Sequence, residues 1–242
     1  MALREDFENT GNWLFKRRSY LPLIMIGIFL LAMTEYYYLR FDHIWEIFCL
    51  IVSFFGLGIR VFTVGHTPRR TSGRNSKHQV AESLNTTGIY SVVRHPLYVG
   101  NFFVGLGWVL FIHLWWLTLI YVLVFCLYYE RIIFAEEEFL RNKFGNAYLE
   151  WANVTPVCIP RFSQYKKADL PFSFRNILKR EYNGFLTVVI VMYFLEVVGD
   201  FFVKGKFDYD FGWILLVLVS FIIWFVLRYL KNYTRILHVE GR

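Results

Sequence analysis

An arginine, a histidine and a proline follow one another at the start of a long apolar run. Arg94 and His95 precede Pro96, and proline is favoured in the first turn of a helix because its missing N–H would have no partner there. A helix start offers backbone N–H groups and a positive dipole, and Arg94 adds a fixed positive charge. The combination predicts an anion-binding site. The alternative, that Arg94 and His95 only anchor the helix at the lipid headgroups, fits the spacing equally well.

A run of carboxylates follows further along the chain. Glu136, Glu137 and Glu138 lie just beyond another apolar run, where ionisable side chains are costly unless they are solvated or paired. Glu130 precedes Glu137 by seven residues, so the two project from one helical face and could bind a cation. The alternative is a solvated acidic helix in which basic residues one turn further along, such as Arg141, form ion pairs.

A basic loop precedes both clusters. It combines arginines with a lysine, hydroxyls and amides close to the predicted membrane surface, and guanidinium groups match the geometry of phosphate. The loop predicts a phosphate site, although cytoplasmic loops of membrane proteins are basic in any case. The residues expected to bind the substrate are Arg69, Arg70, Arg74, Asn75, Lys77 and His78.

The elements that position these clusters must lie in a membrane. Of the 242 residues, 56% are hydrophobic, 21% aromatic and only 19% charged, which excludes a soluble fold of this length. Apolar runs of about 20 residues, the length that crosses a bilayer, recur along the chain. They predict an all-α integral membrane protein with about six transmembrane helices. The spans are expected at 20–39, 44–64, 97–113, 115–134, 184–203 and 211–230, with a tight turn around His113.

The basic residues crowd one side of the predicted membrane. Of the 26 lysines and arginines, only Arg40, Lys204 and Lys206 fall in loops on the opposite side. By the positive-inside rule, the basic side, with both termini, is cytoplasmic. Anionic lipid headgroups then account for the net charge of +7, and no nucleic acid is expected as a partner. The charged first twenty residues lack the pattern of a removable signal peptide, so the first apolar run is expected to remain as a span.

The three cysteines form no recognisable ligand pattern. Cys49, Cys126 and Cys158 are widely spaced, without a CxxC motif or a nearby histidine at ligand spacing. Neither a disulfide framework nor a metal site is therefore expected.

The two clusters and their surroundings resemble the isoprenylcysteine carboxyl methyltransferase and phospholipid methyltransferase superfamily of integral membrane enzymes. The resemblance covers roughly residues 44–160, and several ordered motifs at the family's spacing are more specific than any one of them. The matching residues are Thr87-Gly88-Ile89-Tyr90, Arg94-His95-Pro96-x-Tyr98-x-Gly100, Glu136-Glu137-x-x-Leu140-x-x-x-Phe144-Gly145-x-x-Tyr148, Pro156 and Ile159-Pro160.

The resemblance implies S-adenosylmethionine (SAM) as methyl donor, bound on the cytosolic side by the third and fourth spans and the segment after them. SAM carries a sulfonium, an ammonium and a carboxylate, so an acidic pair opposite a cationic helix start suits it. By the family's pattern, Arg94 and His95 are the expected catalytic residues. The expected cofactor-binding residues are Tyr90, Arg94, His95, Pro96, Tyr98, Gly100, Glu136 and Glu137.

The chain departs from the family in two ways. Enzymes that act on prenylated cysteine carry an arginine just before the proline that matches Pro156, where this chain has Thr155, and Arg161 is the nearby substitute. Residues 161–242 add two further spans, which are expected either to widen the substrate site or to form a homodimer contact. The chain is therefore divided into a tail and first span at 1–43, a methyltransferase core at 44–160 and a C-terminal extension at 161–242.

The basic loop and the missing arginine favour a lipid phosphate as the methyl acceptor. The run from Thr71 to Asn75, with Leu84 to Gly88, resembles superfamily members that methylate the 1-phosphate of lipid A. This implies an enzyme of the bacterial inner membrane whose active site faces the cytoplasm. The alternatives are a prenylcysteine carboxylate, the amine of phosphatidylethanolamine, or a membrane protein without enzymatic activity. A transporter would place polar groups near the bilayer midplane, which the charge distribution disfavours.

Overall fold

The chain forms a bundle of long helices. The computed structural model describes residues 2–18, 27–29, 31–33, 43–68, 71, 79–207 and 209–242. Within these residues the only β pairing is an isolated antiparallel bridge between Gly88 and Lys166, so the predicted all-α fold is confirmed. In chain order the α-helices are α1 (Leu3–Arg17), α2 (His43–His66), α3 (Pro96–Phe111), α4 (Trp115–Phe144), α5 (Asn146–Val154), α6 (Phe174–Lys204) and α7 (Phe211–Tyr233). Short 3₁₀ turns occupy Ile89–Ser91 and Phe162–Gln164.

Four helices, α2, α4, α6 and α7, are long and apolar enough to cross a membrane by length and composition. They coincide with the second, fourth, fifth and sixth predicted spans, as expected for an integral membrane protein. The apolar α3 has 16 residues and is about 24 Å long, less than the roughly 30 Å of a bilayer core. Most of the predicted first span, 20–39, lies outside the described residues. The number of spans and their orientation stay predictions.

The turn between α3 and α4 is as tight as the sequence predicts. Helix α3 ends at Phe111 and α4 begins at Trp115. His113 in the turn has a φ of 63°, in the left-handed region that histidine tolerates better than most residues. Its ring stacks on Trp45 with a centroid distance of 4.6 Å, which ties the turn to the start of α2.

Helices α2 and α3 approach so closely that their contact requires glycine. A Cβ on Gly56 would lie 2.5 Å from the Gly100 carbonyl oxygen, and a Cβ on Gly107 would lie 2.2 Å from Ser53 Oγ. Small residues let membrane helices pack backbone against backbone. This contact fixes the position of the α3 start relative to α2.

The buried apolar core lies at the end of the bundle near the α3–α4 turn. It joins α2, α3, α4, α6 and α7 through Cys49, Phe111, Leu117, Met192 and Trp213, all at most 6% exposed. The core therefore fixes one end of these helices. The opposite ends of α2, α3, α4 and α6 surround a cavity.

Helix α1 packs on the cavity end of α4. The Phe7 and Phe134 rings meet edge to face at 5.5 Å, and the Arg131 guanidinium lies over the Phe7 ring. A Cβ on Gly11 would lie 2.1 Å from the Arg131 carbonyl oxygen, so this contact also needs a glycine. The segment that the sequence presented as a tail is thus a docked helix.

The C-terminal extension is joined to α2. The Ser173 N–H donates to the Gly65 carbonyl at 2.9 Å, and Asn176 Nδ2 donates to the Val64 carbonyl at 2.7 Å. The start of α6 therefore lies against the end of α2. The division at residue 160 and the homodimer contact stay predictions, but the two parts of the chain share a packed interface.

Candidate active site

A cavity of about 630 Å³ opens between the ends of α2, α3, α4 and α6. The end of α1, segment 79–85, the end of α7 and Arg242 also contribute to its wall. Most of the residues expected to bind the cofactor line this cavity. They are Tyr90, Arg94, His95, Pro96, Tyr98 and Glu136.

The two clusters found in the sequence are in direct contact. Arg94 donates from its NH1 to Glu137 Oε2 at 3.1 Å, and His95 Nε2 lies 3.0 Å from Glu137 Oε1. Burial raises the pKa of Glu137, but the hydrogen bond and charge of His95, with the charge of Arg94, outweigh it. The net pKa of Glu137 is below its ordinary value of 4.5, so this carboxylate is ionised near neutral pH.

Glu136 is the carboxylate of the pair that lines the cavity. The Tyr98 hydroxyl donates to Glu136 Oε1 at 2.7 Å, and Arg18 lies 3.9 Å from the same oxygen. Glu137 is held by Arg94 and His95 and is not among the described residues that line the cavity, so its expected contact with the cofactor stays a prediction. Glu136 is therefore the acidic group available to a bound molecule.

His95 lies between the two carboxylates. Its Nδ1 is 3.7 Å from Glu136 Oε2, while its Nε2 faces Glu137. The side chain is 8% exposed and stacks on the Tyr98 ring with a centroid distance of 5.7 Å. These contacts fix the imidazole on both edges and one face.

The start of α3 has the predicted proline, but two of the backbone N–H groups that were expected to be free have partners. Pro96 occupies the first turn, as predicted. The Tyr98 and Val99 N–H groups both donate to the His95 carbonyl, at 3.0 and 3.2 Å. Anion binding here therefore depends on Arg94, whose Nε is buried and has no hydrogen-bond partner among the described residues.

The segment after α4 holds the α3 start in place. The Arg94 N–H donates to the Pro156 carbonyl at 2.9 Å, and Trp151 Nε1 donates to the Tyr90 carbonyl at 3.0 Å. Tyr148 is buried, and burial together with the charge of Glu137 raises its pKa. The tyrosine of the sequence motif thus packs beneath the Arg94, His95 and Glu137 contact.

Glu138 belongs to a different contact. It is buried and forms ion pairs with Arg4 of α1 and with Arg141 one turn further along α4, where the nitrogen and oxygen are 3.2 Å apart. The ion pair with Arg141 that the alternative expected is therefore formed by Glu138, but this side chain is buried and not solvated. Glu136 and Glu137 turn instead toward α3.

Arg60 of α2 and Glu181 of α6 form an ion pair in the cavity wall that the sequence did not predict. Arg60 Nε and NH2 donate to the two oxygens of Glu181 at 2.9 and 3.1 Å, and NH1 donates to Asn101 Oδ1. Asn101 in turn donates to the Tyr129 hydroxyl at 3.2 Å. In the sequence, the one indication of this site was that Arg60 is a charged residue close to an apolar span. Its partners are known only from the fold.

The C-terminal extension supplies several further cavity residues. Asn176, Lys179, Arg180 and Glu181 come from α6, and Lys231 and Arg242 come from the end of α7 and beyond. Arg242 donates to the carbonyls of Gly65 and Pro171 at 2.9 and 2.6 Å.

Some expected site residues lie elsewhere. Gly100 faces α2, where an added Cβ would meet Arg60 Cγ at 2.6 Å, so it packs closely against that helix, and its expected cofactor contact stays a prediction. Arg161 is exposed and does not line the cavity, so it does not replace the missing arginine before Pro156. The predicted substrate residues Arg69, Arg70, Arg74, Asn75, Lys77 and His78 lie outside the described residues. Where the chain is described, no group of three or more His, Cys, Asp or Glu is placed to hold a metal ion.

Comparison with known proteins identifies the family whose motifs the sequence resembles. Residues 44–147 match the phospholipid methyltransferase family. The protein-S-isoprenylcysteine O-methyltransferase of Schizosaccharomyces pombe is 35% identical over 95 residues, 37% of this chain and 40% of that protein. The chain belongs to the superfamily of integral membrane methyltransferases that includes phospholipid and isoprenylcysteine carboxyl methyltransferases.

Two further relatives carry names from metal resistance. The cobalt-zinc-cadmium resistance protein CzcN of Cupriavidus metallidurans is 34% identical over 144 residues, 59% of this chain and 63% of that protein. The nickel-cobalt-cadmium resistance protein NccN of Alcaligenes xylosoxydans xylosoxydans is 31% identical over 159 residues, 64% of this chain and 70% of that protein. The chain thus spans less than two thirds of CzcN and of the fission yeast enzyme. No solved structure matches significantly.

Proposed function

We propose that this protein is a SAM-dependent methyltransferase that methylates an anionic oxygen of a membrane lipid, with a lipid phosphate such as the 1-phosphate of lipid A as acceptor. The observation that carries the proposal is the contact of Arg94, His95 and Tyr98 with Glu136 and Glu137 at the wall of a 630 Å³ cavity. The cavity lies where long apolar helices end, within reach of a lipid headgroup.

The residues at this wall fit SAM. Glu136 offers a carboxylate to the sulfonium or the ammonium, and the guanidinium of Arg94, on the same wall, offers a positive charge to the carboxylate. Tyr98 and Tyr129, whose rings lie 4.6 Å apart, both line the cavity and add aromatic groups near a bound cation. When bound, SAM supplies an electrophilic methyl group, which forms a bond to the acceptor oxygen as its bond to sulfur breaks and a neutral thioether leaves.

The protein's own part in this reaction is positioning. A phosphate oxygen is ionised near neutral pH, so the acceptor gives up no proton and no side chain has to act as a base. Arg94 and His95 contact Glu137 of α4, and this contact fixes the position of the α3 start, including Tyr98, relative to α4. Holding two reactants about 3–3.5 Å apart and removing water from the nucleophile are the recognised sources of rate in such a site.

The proposal places the site at the cytoplasmic face of a bacterial inner membrane. The cavity lies at the end of the bundle that carries Arg4, Arg94 and Arg242, and the basic end of a membrane protein is favoured on the cytoplasmic side.

The names of two relatives suggest a consequence for the cell. A phosphate monoester carries about 1.5 to 2 negative charges at neutral pH, and methylation leaves about one. A methylated lipid phosphate would bind divalent metal ions less tightly. We therefore propose that loss of the protein changes cobalt or cadmium tolerance, and equal growth inhibition with and without it would contradict this role.

The proposed function is tested by following a labelled methyl group. Purified protein is incubated with SAM labelled on the methyl carbon and with total membrane lipids, and the product is treated with mild base. Label that survives and stays with phosphate is the expected result. Release as methanol would show a carboxyl ester, label on an amine headgroup would show N-methylation, and either outcome would overturn the phosphate assignment. Unlabelled lipids would overturn methyl transfer to lipid altogether.

A further inference from the structure

The cavity carries far more positive than negative charge. Among the described residues that line it, seven are arginine or lysine and two are glutamate. Each of the two glutamates faces one of these cations, since Glu181 pairs with Arg60 and Glu136 lies 3.9 Å from Arg18. The cations therefore exceed the carboxylates that could neutralise them.

The excess charge lies on the wall formed by the C-terminal extension. On the α3 side, Arg94 is neutralised by Glu137. On the extension side, Lys231 lies against the Tyr182 ring and hydroxyl, while Arg242 donates to backbone carbonyls, which carry no net charge. These two cations thus hold the fold together without losing their charge.

Lys179 and Arg180 are the cations of α6 that face the cavity. Lys179 is half-buried, and its ammonium has no ion pair or hydrogen bond within the described part of the chain. Arg180 lines the same cavity as Tyr90, and its positive charge opposes the rise that burial causes in the pKa of Tyr90. The two side chains therefore line the same cavity as the cofactor residues, on the wall formed by α6.

The excess of positive charge in the cavity limits which charge the headgroup of the lipid acceptor can carry. SAM carries two positive groups and one negative group, so a cavity with excess cations disfavours it unless an anion binds beside it. A protonated amine headgroup would add to the repulsion. A phosphate or carboxylate headgroup would remove it and would pair with cations.

We infer that Lys179 and Arg180 bind the anionic headgroup of the lipid acceptor, so that the 161–242 extension is the part of the chain that selects the substrate. This inference rests on the proposed function. It assigns the extra spans a direct role in specificity, since α6 runs from the membrane-spanning region to the cavity wall.

The test compares Lys179→Gln and Arg180→Gln with Arg175→Gln. Arg175 lies on the same helix, is exposed and does not line the cavity, so its replacement removes the same charge without touching the site. The measurements are the half-saturating concentration of membrane lipid extract for methyl incorporation and the Kd for S-adenosylhomocysteine. Each cavity variant is expected to raise the half-saturating lipid concentration about tenfold, as loss of one charge-assisted contact implies. The Kd is expected to stay within about twofold, and Arg175→Gln should match wild type.

Several outcomes are decisive. Unchanged lipid saturation in both cavity variants would overturn the inference, and so would an equal loss of cofactor affinity. Lys179→Arg keeps the charge and is expected to restore saturation, so its failure to do so would also count against the inference. Wild-type protein that transfers methyl groups to a lipid phosphate leaves the proposed function intact whatever the variants do. Wild-type protein that neither binds S-adenosylhomocysteine nor transfers methyl overturns the proposed function and, with it, the inference.

Discussion

Arg60 of α2 and Glu181 of α6 form a two-pronged ion pair at the cavity, with nitrogen–oxygen distances of 2.9 and 3.1 Å. The residues are 121 positions apart in the chain, and Glu181 is buried. The pair joins the part of the chain that matches the family to the extension that follows it. Arg60 also donates to Asn101, which places α3 in the same network.

Breaking this pair on one side is expected to destabilise the protein. Glu181→Ala leaves the Arg60 guanidinium with its main partner missing, and an uncompensated buried charge costs about 3–5 kcal/mol. The midpoint of thermal unfolding in detergent should fall clearly. Glu150→Ala, at an exposed position on α5, should leave it unchanged. The double variant Arg60→Met with Glu181→Leu is expected to recover much of the loss, and a further drop would contradict the ion-pair explanation.

The pKa of Glu137 predicts how stability depends on pH. Its folded-state pKa lies below 4.5, so the carboxylate binds protons more readily in the unfolded chain. Its contribution is therefore fully present above about pH 4.5 and is lost as the pH falls through the lower, folded-state value. Thermal unfolding of wild type and of Glu137→Gln, followed from pH 7 to pH 3.5, should show a smaller decline in the variant. Parallel curves would rule out Glu137 as a contributor.

The contact between α2 and α3 predicts opposite outcomes for two neighbouring glycines. A Cβ at Gly56 would lie 2.5 to 2.9 Å from Gly100, Val104 and Phe103 of α3, while a Cβ at Gly58 would meet nothing within 4 Å. Gly56→Ala should therefore lower the unfolding midpoint, since overpacking costs about 1–3 kcal/mol. Gly58→Ala should be neutral or slightly stabilising, because alanine favours the helix. Equal effects of the two changes would show that the helices are farther apart than described.

The sequence predicted the site through short motifs but not the pairing within it. Arg94-His95-Pro96 and Glu136-Glu137 are local patterns, and the predicted spans already place both at the same membrane face. Which carboxylate meets Arg94 and which faces the cavity depends on the rotation of α4 about its axis, and spacing alone does not determine that rotation. The face that Gly100 presents depends in the same way on the rotation of α3, and the structure turns it toward α2.

The extension and the first helix lay beyond what sequence could predict. Lys179 and Arg180 fall after the last motif, in a segment whose position depends on the packing of α6 against α2. The charged residues of helix α1 were interpreted as part of an N-terminal tail. The close approach of Gly11 to α4 shows that this helix packs on α4. Tertiary contacts of this kind leave no periodic signal in the chain.

The most direct test of the account is calorimetric binding of SAM and S-adenosylhomocysteine to the purified protein, in wild type and in Glu136→Gln. Wild type is expected to bind both. The variant is expected to lose about tenfold in affinity, because an anionic contact to the ligand is removed. A loss confined to SAM would place Glu136 at the sulfonium, and a loss shared by both ligands would place it at the ammonium. Glu150→Gln serves as the charge-matched control. Wild-type protein that binds neither ligand, or a Glu136→Gln variant that binds both as wild type does, would contradict the account.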